Sequence, residues 1–164
     1  MVVKVELPEL WHKQMRFILR FDEGVRYRPY DCGTGKLVVA PEGRITIGIG
    51  RNLQDKGITE ATALQMLDED IAECVKFAGE LFTEAEFLKF SSPRQHAIIS
   101  MIFNLGAGGF SQFKNTIELI KRGEWSMAAQ SALLSKWARQ VPLRARRVAD
   151  MLGSERYCYP GMPK

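Results

Sequence analysis

The sequence predicts an α+β fold: a small β-rich N-terminal lobe and a larger helical C-terminal lobe, joined by a long helix. Three observations carry that prediction. Apolar residues recur at helical spacing before Gly24 and again through most of the chain after Thr59. Between Val25 and Arg51 that period disappears. In the same gap two β-favouring runs, KLVVA and RITIGIG, flank the turn signal Pro41-Glu42-Gly43. The expected organisation is one domain over residues 1–164, with a β-rich lobe at about 23–58, a connecting helix at about 59–81 and a helical lobe at about 82–164, on which a helix at 8–22 packs.

Each element has its own signal. Pro8, followed by apolar residues at 10, 11, 15, 18 and 19, marks a helix with proline in its first turn and a stop at Gly24. Glu23 therefore falls at the helix's C-terminal edge. Thr59 reads as an N-cap, and Leu64, Leu67, Ile71, Val75 and Ala78 then line one face of a long helix. Ser92-Pro93 reads as a cap with proline at the first helical position, and AIISMIF, apolar on nearly every side, is expected to be a buried core helix ending at Gly106. NTIELIKRG, EWSMAAQSALLSKW and PLRARRVADML supply its helical neighbours.

With 46% apolar and 26% charged residues the chain has the composition of a folded globular protein. Its net charge of +4 favours polyanionic partners such as nucleic acid, anionic lipid or a bacterial cell wall without choosing among them. Cys32, Cys74 and Cys158 form no even framework and no CxxC pair, so neither a disulfide scaffold nor a zinc site is indicated. The N-terminal MVVKVELPELWHKQ lacks the marks of a secretory signal, and no apolar run is long enough to span a membrane. His12 and His96 are isolated in sequence and suggest neither a metal site nor a triad.

Glu23 is the candidate with the clearest chemistry. The unpaired carbonyls at a helix C-terminus disfavour a second negative charge, which favours the protonated carboxyl that a general acid needs. Taken alone, such a residue is a solvated helix end. TIGIG adds a hydroxyl, Thr46, on a strand whose Gly48 and Gly50 leave the backbone open to close approach. In Asp31-Cys32, if the segment is extended, only one of the two side chains can share a cleft with Glu23. An aspartate there would complete a carboxylate pair, whereas a thiol with a reference pKa of about 8.5 is a poor base at neutral pH.

Glu23, the eight residues GVRYRPYD, Cys32 and the Thr46 of TIGIG together resemble the signature of the phage lysozyme family of glycoside hydrolases. The resemblance extends through GRNLQDKGIT, FNLGAGGF, FKNT, GEW, SKW and PLRARRV, from about residue 14 to 153, in the family's order. It departs from the family in two places. Thirteen residues separate Cys32 from Thr46 where the family pattern has five, and Arg51 stands where the T-even phage member has a histidine, a change expected to touch a structural contact.

The resemblance implies that Glu23 is the proton donor and that Cys32 and Thr46 orient or activate the attacking water. It also implies that Phe103, Asn104, Thr116 and Ser131 line the substrate cleft and that Arg144 contacts Glu23. The implied activity is that of a peptidoglycan-cleaving muramidase, an endolysin, acting without metal or organic cofactor, as a monomer, on bacterial peptidoglycan. Neither nucleic acid nor stable membrane insertion is implied. The protein would accumulate in the host bacterial cytoplasm until a holin-type pore-former releases it to the wall. Two alternatives stay open: a lytic transglycosylase, favoured by the lack of a clear second carboxylate, and a non-catalytic wall- or nucleic-acid-binding module, which the RARR run permits.

Overall fold

The computed structural model describes residues 6–31, 34–40 and 43–164. The chain is mostly helical with one small two-stranded sheet, an α+β architecture as the sequence predicts. Helix α1 spans Glu9–Glu23, strands β1 and β2 span Thr46–Ile47 and Arg51–Asn52, and the short helix α2 covers Leu53–Lys56. Helices α3 (Glu60–Phe82), α4 (Glu84–Lys89), α5 (Ser92–Ser111), α6 (Lys114–Lys121), α7 (Trp125–Leu133), α8 (Lys136–Gln140) and α9 (Pro142–Ser154) complete the described chain.

The helix ends follow local chemistry. Gly24 closes α1 at φ 72°, a conformation that favours glycine, and its N–H bonds to the Arg20 carbonyl at 3.0 Å. Thr59 caps α3 by accepting from the Thr62 N–H. The cap of α5 is Ser91, one residue earlier than the sequence suggests, so Ser92 and Pro93 both lie inside the first turn. Gly106 interrupts α5 at φ 70°, ψ 162°, and helical structure then resumes to Ser111. The glycine breaks the helix as expected without ending the helical path. EWSMAAQSALLSKW does not make one helix: Ser135 caps a new one, α8, by accepting from the Ala138 N–H.

The core is centred on α5, whose Ala97–Ile102 stretch is buried throughout. Around it pack α9, α3 and α1, the last through Trp11, Met15, Ile18 and Leu19. His96, without a predicted role, is fully buried in this core. Its Nε2 donates to the Trp11 carbonyl at 3.0 Å, which leaves Nδ1 to accept from the Tyr157 hydroxyl at 2.8 Å. Burial pushes its pKa down to about 3.

The β content is smaller than composition suggests. KLVVA forms no strand: Leu37 makes a single bridge to Tyr30. TIGIG is a hairpin tip, with Thr46 opposite Asn52, Ile47 opposite Arg51, and Gly48 and Gly50 at φ 58° and 74° in the connecting turn. Both glycines lie in the turn and not on a strand as expected, and a Cβ at either would meet no atom within 4 Å, so the backbone there is open. With Ile47 and Ile49 exposed, the hairpin buries too little apolar surface to extend its own ladder. Pro41 and Glu42 of the predicted turn lie outside the described residues.

Candidate functional site

Residues at i, i+3, i+4 and i+7 on α1, namely Met15, Ile18, Leu19 and Asp22, share one face, and that face is buried. Asp22 is thus carried into the interior, its side chain 1% exposed. Glu23, the next residue, projects into a cleft of about 310 Å³ lined by α1, the segment following Gly24, the first turns of α3 and Phe103 of α5. Its side chain is 37% exposed, reachable by a solute yet held by protein.

The holder is Arg144 of α9, 6% exposed on its side chain, whose guanidinium lies 2.7 Å from a Glu23 carboxyl oxygen. The same guanidinium lies 3.4 Å from Asp22 through Nε. Arg147, one turn along α9, reaches Asp22 at 2.5 Å, and the Tyr159 hydroxyl donates to Asp22 at 2.9 Å. Within RARR, Arg144 and Arg147 turn inward to two adjacent carboxylates while Arg146 stays exposed, so the buried guanidinium groups are paired and hydrogen-bonded.

Phe103 stands half-buried at the cleft, where the core helix meets solvent. Asp70 and Phe103 also line an adjoining recess of about 390 Å³. Arg20 and Glu60, both lining the cleft, form an ion pair at 3.0 Å that ties α1 to the start of α3. Tyr27, also at the cleft, crosses Gly57 so closely that a Cβ there would sit 2.2 Å from the Tyr27 carbonyl oxygen. Arg51 donates from Nε to the Gly57 carbonyl at 2.7 Å, so it makes a structural contact, as the sequence suggests.

Thr116 and Ser131 meet in a second groove of about 440 Å³, which Trp137 also lines. Their hydroxyls are 2.9 Å apart, and Asn115 donates to Ser131 at 3.0 Å. Asn104 is linked to that groove, accepting from the Trp137 indole N–H at 2.7 Å. Glu23, Arg144 and Phe103 are thus brought together, and Thr116, Ser131 and Asn104 form a second group.

Thr46 lines neither space. It is exposed on β1, its hydroxyl donating to the Arg44 carbonyl at 3.2 Å. Cys32 lies outside the described residues. Its neighbour Asp31 accepts from the Thr34 N–H at 2.7 Å, a turn-forming bond typical of aspartate.

Asp22 and Tyr159 are residues that the reading of the sequence missed. Asp22 had a signal: an acid on the apolar face of an amphipathic helix needs a buried cation. Tyr159 had none, because it follows α9 in a segment without periodicity.

A carboxyl group half-open to a cleft, fixed by a buried guanidinium and faced by an aromatic wall, can exchange a proton with a bound oxygen and bind a sugar ring against the phenyl face. The chain belongs to the phage lysozyme family, whose model matches residues 20–151. It is 27% identical to "Probable T4-type lysozyme 2" of Dictyostelium discoideum over 84% of this chain and 92% of that protein. It is 25% identical to "Probable T4-type lysozyme 1" of the same organism over 82% and 91%. The pre-baseplate central spike protein Gp5 of Enterobacteria phage T4 is 25% identical over 84% of this chain, which spans 27% of that longer protein.

Proposed function

We propose that the protein is a peptidoglycan hydrolase, a muramidase that cleaves the β-1,4 bond between N-acetylmuramic acid and N-acetylglucosamine. Family membership supports the substrate class. The observation that carries the chemistry is Glu23 at the end of α1, open to the cleft and gripped by Arg144.

In this reading Glu23 protonates the glycosidic oxygen as the sugar gains oxocarbenium character, and water attacks the opposite face of the ring. Cys32 and Thr46 position that water, with inversion at the anomeric carbon. Phe103 packs against a sugar face, and the Thr116, Ser131 and Asn104 group binds a further part of the polymer. The β-rich segment at about 23–58 and the helical body then act as the two lobes flanking the glycan. A separate pore-forming protein gives the enzyme access to the wall, leading to lysis.

The test is turbidity loss of chloroform-permeabilised Gram-negative cells with wild type and Glu23→Gln. Clearing by wild type alone supports catalysis. Equal behaviour of the two proteins overturns the reading in favour of a wall-binding module.

A further inference from the structure

We infer that Asp22 and Tyr159 form a positioning relay that sets how Arg144 is shared between two carboxylates, and through it the orientation of Glu23. The inference rests on the reading of Glu23 as the acid, and goes beyond the Arg144 contact itself by bringing in a buried aspartate and the C-terminal segment.

Three observations lead to it. First, Arg144 faces Glu23 at 2.7 Å through Nη1 and Asp22 at 3.4 Å through Nε, so one buried cation serves both carboxylates. Second, the same oxygen of Asp22 that meets Arg144 accepts from the Tyr159 hydroxyl at 2.9 Å, while the other oxygen is held by Arg147. Donors to Asp22 therefore compete directly with Arg144. Third, the segment carrying Tyr159 is fastened along α1: Gln14 donates to the Pro163 carbonyl at 2.9 Å, and the Tyr159 ring packs edge-on to Phe21 at 5.4 Å. Burial, with the Asp22 charge beside it, pushes the Tyr159 hydroxyl far above its ordinary range, so it remains a donor at any working pH.

The arrangement gives opposite signs for two substitutions. In Tyr159→Phe, Asp22 loses a donor and draws Arg144 away from Glu23. The Glu23 carboxyl then loses its holder and turns more freely. In Asp22→Asn, Arg144 faces Glu23 alone and the contact tightens. The remaining charged groups at the cleft, Arg20 with Glu60, Arg26 and Asp70, are common to both variants and cannot produce the reversal.

The experiment is NMR of the Arg144 guanidinium N–H groups in the full-length protein, wild type against the two variants, with kcat and KM on solubilised peptidoglycan alongside. Expected is faster hydrogen exchange of the Arg144 N–H group that faces Glu23 in Tyr159→Phe and slower exchange in Asp22→Asn. A kcat loss on the order of tenfold in Tyr159→Phe, with KM unchanged, is expected as well. Exchange that stays put, or moves the same way in both variants while thermal stability drops, overturns the relay and leaves a purely structural network. Should Asp22→Asn not fold, unchanged exchange in Tyr159→Phe is itself sufficient to overturn it. If wild type shows no hydrolysis the glycosidase reading fails, and the exchange still decides the relay.

Discussion

The two ends of the proposed machinery are built in opposite ways. Glu23 sits on a fifteen-residue helix whose inner face is core, and a second helix and the C-terminal segment converge on it through Arg144, Arg147 and Tyr159. Thr46 sits on a two-residue strand at an exposed hairpin, its hydroxyl bonded only to the backbone two residues away among the described contacts. The acid needs one fixed carboxyl oxygen, and rigid packing supplies that. The water-positioning role proposed for Thr46 asks less of an exposed hairpin, since catalytic hydrogen bonds often tighten only in the bound complex. Burial is spent where charge must be controlled.

Substitutions at both ends put that contrast to the test. The largest effect belongs to Glu23→Gln, expected to lower hydrolysis on the order of a thousandfold with the melting temperature close to wild type, since the carboxyl lies at the surface of the cleft. A melting temperature that fell with activity would place Glu23 in the framework.

Next is the acid sensitivity of the helical framework through His96. Its folded pKa, about 3, lies below the ordinary value of 6.5, because burial disfavours the imidazolium. The native state therefore binds fewer protons than the unfolded chain, and the associated stability is full above pH 6.5 and is lost as pH falls toward 3. The expected loss is about 3 kcal/mol between pH 7 and pH 4.5 in urea unfolding, with a flatter profile for His96→Gln.

Gly57→Ala comes third. A left-handed φ of 61° and a Cβ overlapping the Tyr27 carbonyl should cost at least about 2 kcal/mol in chemical denaturation and disturb the cleft wall that Tyr27 forms. Smallest is Thr46→Ala, expected to change stability by less than about 0.5 kcal/mol, so that any loss of kcat reports chemistry alone. Cys32→Ser is expected to keep activity within about tenfold, as a positioning thiol rather than a base allows, and a crippling Asp31→Asn would instead move the role to its neighbour.

The contrast also explains what the sequence could reveal. Helices α1 and α3 were legible because caps and apolar spacing agree, and the position of Glu23 followed from Gly24 alone. The hairpin was legible as a loss of helical period, while its extent was not: β-branched runs such as KLVVA favour strands only where a packing partner exists. The split between α7 and α8 turned on Ser135, whose capping role is masked by the apolar run around it. The Glu23–Arg144 contact was implied by family resemblance. The layer behind it depends on residues 125 and 137 positions apart, which no local pattern reports.

The central claim is that Glu23 delivers a proton to a glycosidic bond that water then breaks. Its most direct test is mass spectrometry of purified sacculi digested in ¹⁸O-labelled water by wild type and by Glu23→Gln. Wild type is expected to release muropeptides ending in reducing N-acetylmuramic acid with one ¹⁸O, and the variant nearly none. Anhydro-muramic ends without label, or equal release by both proteins, would contradict it.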